Sequence, residues 1–186
     1  LTSPLSPAFD NGETKALTAP TSALRQDQHV TTVGTLGAGN GPYVIDTLTI
    51  PYGKQNPFNT PMRMAGVGFL PDGRAAVSTL TGDVWLADGI DDSLTELRWT
   101  RFAAGLNQPL GLLIHEGKIL VAGRDQITRL HDLNNDNEAD FYECVTNQFK
   151  TGTGHDFLTN LSSDNQNALY FYSPPTGVAK LHADSR

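Results

Sequence analysis

Three stretches of the chain repeat one pattern: MRMAGVGFLPDGRAAVSTLTGDVWLAD from Met62, NQPLGLLIHEGKILVAGRDQITRLHD from Asn107, and GHDFLTNLSSDNQNALYFYSPPTGVAKLHAD from Gly154. Each carries a polar residue within its first two positions, runs through a short apolar segment, and turns at an acidic residue followed by Gly or Asn. Those turns are Asp72-Gly73, Glu116-Gly117 and Asp164-Asn165. A second apolar segment follows in each copy, at residues 75–78, 119–122 and 169–172. After a polar loop, a third segment ends in Leu86, Leu130 and Leu181. An Asp-Gly pair between apolar runs is a strong hairpin signal, because such turns need a positive φ that Gly adopts at little cost. Several short strands recurring at about 40–50 residues predict an all-β fold of the β-propeller type, in which each repeat is one blade buried against its neighbours. Residues 97–102 and 141–145 fit as fourth strands of the first two blades, and residues 43–50 as the outer strand of another. A β-sandwich with chance hairpins would explain the strands but not their shared register.

Propellers close with about 4–8 blades. Residues 41–186 supply about three and one outer strand, so they are expected to form a partial propeller of a six- to eight-bladed ring. The remainder of the same polypeptide, or another subunit, would complete it. Residues 1–40, rich in Thr, Ser, Ala, Pro and Gly, read as an extended low-complexity leader with one short strand near residues 29–33.

Charge narrows the function classes. With 20 acidic against 13 basic residues the net charge is -7, and no basic run is present to displace counterions from phosphates, which excludes nucleic acid as the expected partner. No apolar run approaches the roughly 18 residues of a membrane helix. The single Cys144 rules out an internal disulfide and any CxxCH haem attachment within these residues.

The repeat register turns sequence into geometry. Arg63, Gln108 and His155 precede the first strands, while Arg124 and Asp125 follow a second strand, and these positions share one end of a blade. His155 with Asp156 is the candidate catalytic pair, and Arg63, Gln108, Arg124 and Asp125 are candidate cofactor- or substrate-binding residues. An imidazole beside a carboxylate suits proton abstraction from a hydroxyl, and guanidinium groups suit an anionic anchor. Trp85 and Trp99 fall at strand positions and are expected in the core. The remaining histidines lack ligand spacing and read as structural or solvent-facing.

A second candidate lies in DLNNDNEADFYE, residues 132–143. Asp132, Asn134, Asp136, Glu138, Asp140 and Glu143 place oxygen side chains in the spacing of a calcium loop, with Asn137 where such loops carry Gly. Asn is the next-best residue for the positive φ that the position demands. Hard oxygen donors suit Ca²⁺. The loop joins the third and fourth strands of the second blade, opposite the His155 end, so a metal held there would be structural.

The strings GPYVIDTLTIP, MRMAGVGFLPDGRAAVSTLTGDVWLADGID and RWTRFAAGLNQPLGLLIHEGKILVAGRDQITRLHDLNNDNEADFYE, followed by GHDF, resemble large secreted proteins of planctomycete- and verrucomicrobia-type bacteria. Those proteins are usually labelled membrane-bound dehydrogenases or haem-binding proteins. More distantly the blades are similar to soluble quinoprotein glucose and sorbosone dehydrogenases. The resemblance implies a periplasmic or extracellular, membrane-associated oxidoreductase acting on a small-molecule sugar or alcohol. It also implies pyrroloquinoline quinone as cofactor, His155 as general base, and haem c on a downstream domain or an electron-acceptor cytochrome as partner. Two other readings share these residues: a non-catalytic, Ca²⁺-stabilised propeller that binds a glycan or protein through the same face, and a propeller hydrolase or lactonase. The second would need Ca²⁺ in the central channel, whereas the acidic residues cluster on a peripheral loop.

Overall fold

A computed structural model describes residues 29–152, 154–174 and 177–182. Twelve strands run in chain order: β1 (Val30–Thr32), β2 (Met64–Phe69), β3 (Ala75–Thr79), β4 (Val84–Asp88), β5 (Leu97–Ala103), β6 (Gly111–His115), β7 (Lys118–Ala122), β8 (Ile127–His131), β9 (Phe141–Thr146), β10 (Leu161–Ser163), β11 (Leu169–Ser173) and β12 (Gly177–Leu181). They form three antiparallel sheets, ordered β1-β5-β4-β3-β2, β6-β7-β8-β9 and β10-β11-β12. Each is a meander, so every strand from β2 to β5, and from β6 to β9, pairs with its chain neighbour. The three-unit pattern expected from sequence is thus a fact of the fold, with fourth strands β5 and β9 where they were expected.

Turn chemistry sets each hairpin. In the first sheet Phe69 pairs with Ala75, the Asp72 carboxylate accepts the Arg74 N–H at 3.1 Å, and Gly73 takes φ +92°. The second uses a two-residue turn in which Glu116 and Gly117 both have positive φ, the mirror turn that matches strand twist. The third is closed by Asp164, whose Oδ1 accepts the N–H groups of Gln166 (2.9 Å) and Ala168 (3.0 Å).

Two apolar seams join the sheets. Between the first and second lie Ala76, Val84, Leu86, Phe102, Leu112 and Val121; between the second and third lie Leu120, Ala122, Ile127, Leu158, Leu161 and Phe171. The first strands meet unusually closely, and small residues allow it. A Cβ on Gly66 would sit 2.7 Å from both Leu112 Cβ and its backbone N. A third cluster covers the far side of the first sheet, where Trp85 and Trp99, both buried as expected, pack with Met62, Leu94 and Leu97 under Leu48, Ile50 and Phe58.

One expectation changes at the N-terminal side. Residues 43–50 do not form a strand; their β pairing is the isolated bridge Thr35–Thr47. Among the described residues they have no other β partner, and Tyr43 is 90% exposed. Val30–Thr32 pairs with β5, and Trp99 Nε1 donates to Thr32 Oγ1 at 3.0 Å. The strand expected near residues 29–33 is present and belongs to the first sheet. The rest of the expected leader, residues 1–28, lies outside the described residues. Among the described residues no helix is long and apolar enough to cross a membrane.

Candidate functional site

The chain enters β2, β6 and β10 at one end of the sheets, here called the rim, and makes the β2–β3, β6–β7 and β10–β11 turns at the other, the turn end. At the rim the first two sheets repeat one backbone bond. The Arg63 carbonyl accepts the Leu80 N–H at 2.8 Å, and the Asn107 carbonyl accepts the Arg124 N–H at 2.9 Å, across the same sequence separation. Arg63, Gln108 and Arg124 therefore share the rim, as the register predicts.

In the third sheet the register differs. The residue with positive φ in its turn, equivalent to Gly73, is Asn167 (φ +62°) and not Asn165. Val67 pairs with Val77 and Leu161 with Phe171, which aligns residue 67 with residue 161, and Phe157, not His155, stands ten residues before the turn residue, as Arg63 does. His155 stands two positions earlier than the sequence places it, exposed on the incoming loop beside half-buried Asp156.

Arg124 is the organising side chain. Its Nη1 donates to Gln108 Oε1 at 3.1 Å, and its guanidinium lies over the Phe157 ring, 5.0 Å from the centroid. One cation from the β7–β8 loop thus connects the segments that lead into β6 and β10. Its backbone carbonyl also accepts Thr151 Oγ1 at 3.4 Å. Asp125 is exposed next to it, and Arg63 is exposed ahead of β2. Phe157 is the rim residue that sequence reasoning missed; the signal was its place in GHDF, read there for His155. A groove of about 370 Å³ runs from this rim between the first strands, lined by Ala65, Gly66, Leu110, Gly111, Thr159 and Asn160. What the rim can do chemically is bind an anionic or hydroxylated group between guanidinium and amide donors, with an exposed imidazole nearby.

The acidic loop sits at the turn end, on the side away from the rim. Arg74, held by Asp72 at 2.7 Å, donates to Asn137 Oδ1 at 2.6 Å, and the Ala139 N–H donates to the Phe102 carbonyl at 2.8 Å. Asn137 takes φ +68°, the conformation that a loop Gly would supply. Backbone N–H groups of Asp136, Asn137 and Glu138 turn onto the side-chain oxygens of Asp132, Asn134 and Asp136. Asp140 is engaged differently, its Oδ2 accepting the Leu133 N–H at 2.7 Å. Glu143 turns away altogether. In β9 it pairs across with Arg129 and receives hydrogen bonds from Arg129 at 3.1 Å and His131 at 2.9 Å. The His131 bond, and behind it the Arg129 charge, hold the Glu143 carboxyl below its ordinary range despite partial burial. Among the described residues no three His, Cys, Asp or Glu side chains converge as a metal-holding group. A cation at this loop would draw on Asp132, Asn134 and Asp136 with backbone oxygens, without Glu143.

One further charge pair lies in the first sheet: Asp83 and Arg101 approach to 3.7 Å, with the guanidinium stacked 3.4 Å over Phe58, and burial pushes the Asp83 carboxyl up. No protein-family model matches this chain, and no curated protein matches it.

Proposed function

We propose that the three sheets are consecutive blades of a β-propeller and that the chain is the propeller portion of a secreted or periplasmic oxidoreductase acting on a sugar or alcohol. The propeller reading is supported by first strands that lie side by side, by meander order within each sheet, and by the uncovered outer face of β2. There Val67 and Phe69 are each 60% exposed, as expected where a further blade, from the same polypeptide or another subunit, would pack.

The observation that carries the functional reading is Arg124 bridging Gln108 and Phe157 at the rim. A fixed guanidinium with Arg63 on the same rim is the donor chemistry that a carboxylate-bearing quinone requires, and exposed His155 would take the proton of a substrate hydroxyl. When bound, pyrroloquinoline quinone would supply the two-electron acceptor. The chain's own residues would anchor the quinone through Arg63 and Arg124, hold the substrate at the groove mouth, and accept its proton at the imidazole. Electrons would leave to a haem c domain or cytochrome outside residues 1–186. Ca²⁺ at the acidic loop would stiffen the second sheet without touching the rim.

Reconstitution tests both parts. With quinone and Ca²⁺ added, a sugar and alcohol panel should reduce an acceptor dye, and His155→Ala should lower kcat about 100-fold or more with quinone binding retained. Asp136→Ala should abolish the Ca²⁺-dependent rise in Tm and leave quinone binding intact. No dye reduction with any substrate, or full turnover in His155→Ala, would remove the dehydrogenase assignment. An unchanged Ca²⁺ response would place the ion elsewhere.

A further inference from the structure

The seam between the second and third sheets changes character along its length. Near the rim it is closed and apolar, around Ala122, Ile127, Leu158 and Leu161. Toward the turn end the two sheets part around a cavity of about 630 Å³. Strand periodicity puts the change on single strands: β8 presents Ile127 to the seam and then Arg129 to the cavity, while β6 presents Leu113 and then His115. Val145, Leu169 and Leu181 give the cavity an apolar floor.

His115 is the anomaly. It lines the cavity, is only 8% exposed, and has no hydrogen-bond partner at either ring nitrogen. Buried polar groups are nearly always hydrogen-bonded, so an imidazole with two open nitrogens marks a place where a partner is missing. The charged groups of the lining already have partners within the protein. Glu143 is held by Arg129 and His131, and Glu116 Oε1 accepts the Asn167 amide at 2.8 Å. Two carboxylates against one guanidinium repel an anion, and both carboxylates already accept hydrogen bonds from the protein. What remains is a mixture of donors and acceptors on flat side chains over a hydrocarbon floor, the make-up of a pocket for uncharged hydroxylated ligands.

We propose that this inter-sheet cavity binds a neutral sugar, one or two rings in size, whose hydroxyls pair with His115, Asn167 and Gln148 and whose C–H face rests on Leu169 and Leu181. The site shares no lining residue with the rim group of His155 and Arg124 and does not depend on the dehydrogenase reading. It is a place to hold a glycan, not to oxidise it.

The test uses the whole chain with no quinone. Saturation-transfer NMR and calorimetry are run with glucose, galactose and cellobiose, with glucuronic acid and glucosamine as charged counterparts. Neutral members should bind, and His115→Phe, which keeps the ring volume and removes both nitrogens, should weaken them about tenfold or more. Asn167→Gly suits the positive φ at that position and alters only the cavity lip; it should weaken them too, and it serves if His115→Phe does not fold. The proposal is overturned if no neutral sugar binds, if a charged counterpart binds more tightly than glucose, or if the folded variants bind as the parent does.

Discussion

Gly66 shows how one residue governs contact between sheets. Its missing side chain is occupied by Leu112, and its own N–H leaves the ladder to bond Ser78 Oγ at 3.0 Å, where the β2–β3 register shifts. Gly66→Ala would drive a methyl against Leu112 backbone, which cannot yield as a side-chain tip does. Thermal or urea unfolding should show a loss of about 1–3 kcal/mol, the usual cost of overpacking; an unchanged midpoint would mean that the first strands are not in contact in solution. At this scale the sequence was partly legible. Gly73 and Gly117 announce their turns, but Asn165 and Asn167 are the same residue type, and only one of them takes the left-handed conformation. Nothing in DNQN distinguishes them, so the third register is read two residues out and His155 is assigned the place that Phe157 holds.

At the scale of the element, β8 and β9 are joined by the Arg129–Glu143–His131 group as well as by their ladder. Because the Glu143 carboxyl lies below its ordinary value in the folded chain, the unfolded chain binds the proton more readily. Its contribution to stability is therefore present above the ordinary carboxylate range near pH 4.5 and is lost as pH falls through the lowered folded value. Glu143→Gln should flatten that part of the stability-against-pH curve and cost about 1 kcal/mol or less at neutral pH, as expected for a partly solvated pair. An acid limb as steep as the parent's would assign the effect to another carboxylate. The same element explains a limit of the sequence reading. Spacing alone makes Glu143 the last ligand of the acidic loop, but strand pairing turns it across to Arg129, and pairing depends on the fold.

For the molecule as a whole, local signals carried the hairpins and their order, because each turn is written in a few adjacent residues. Long-range pairing was less legible. Val30–Thr32 lies against β5, far along the chain, and the neighbouring residues 43–50 alternate like a strand yet pair only at Thr47. The cavity beside His115 was invisible for the same reason, since it exists only where two sheets diverge.

The seams also set an order of protection. Among the described residues the second sheet has a neighbour on both faces, while the third has one, and its Tyr172 and Val178 face solvent. Opening should therefore begin at the third sheet and spread inward, each sheet guarding the next as in a stacked array. Amide hydrogen exchange on the 186-residue chain should find the β10–β12 amides exchanging first and those of β7 and β8 last; uniform exchange across all three sheets would mean that they open as one unit.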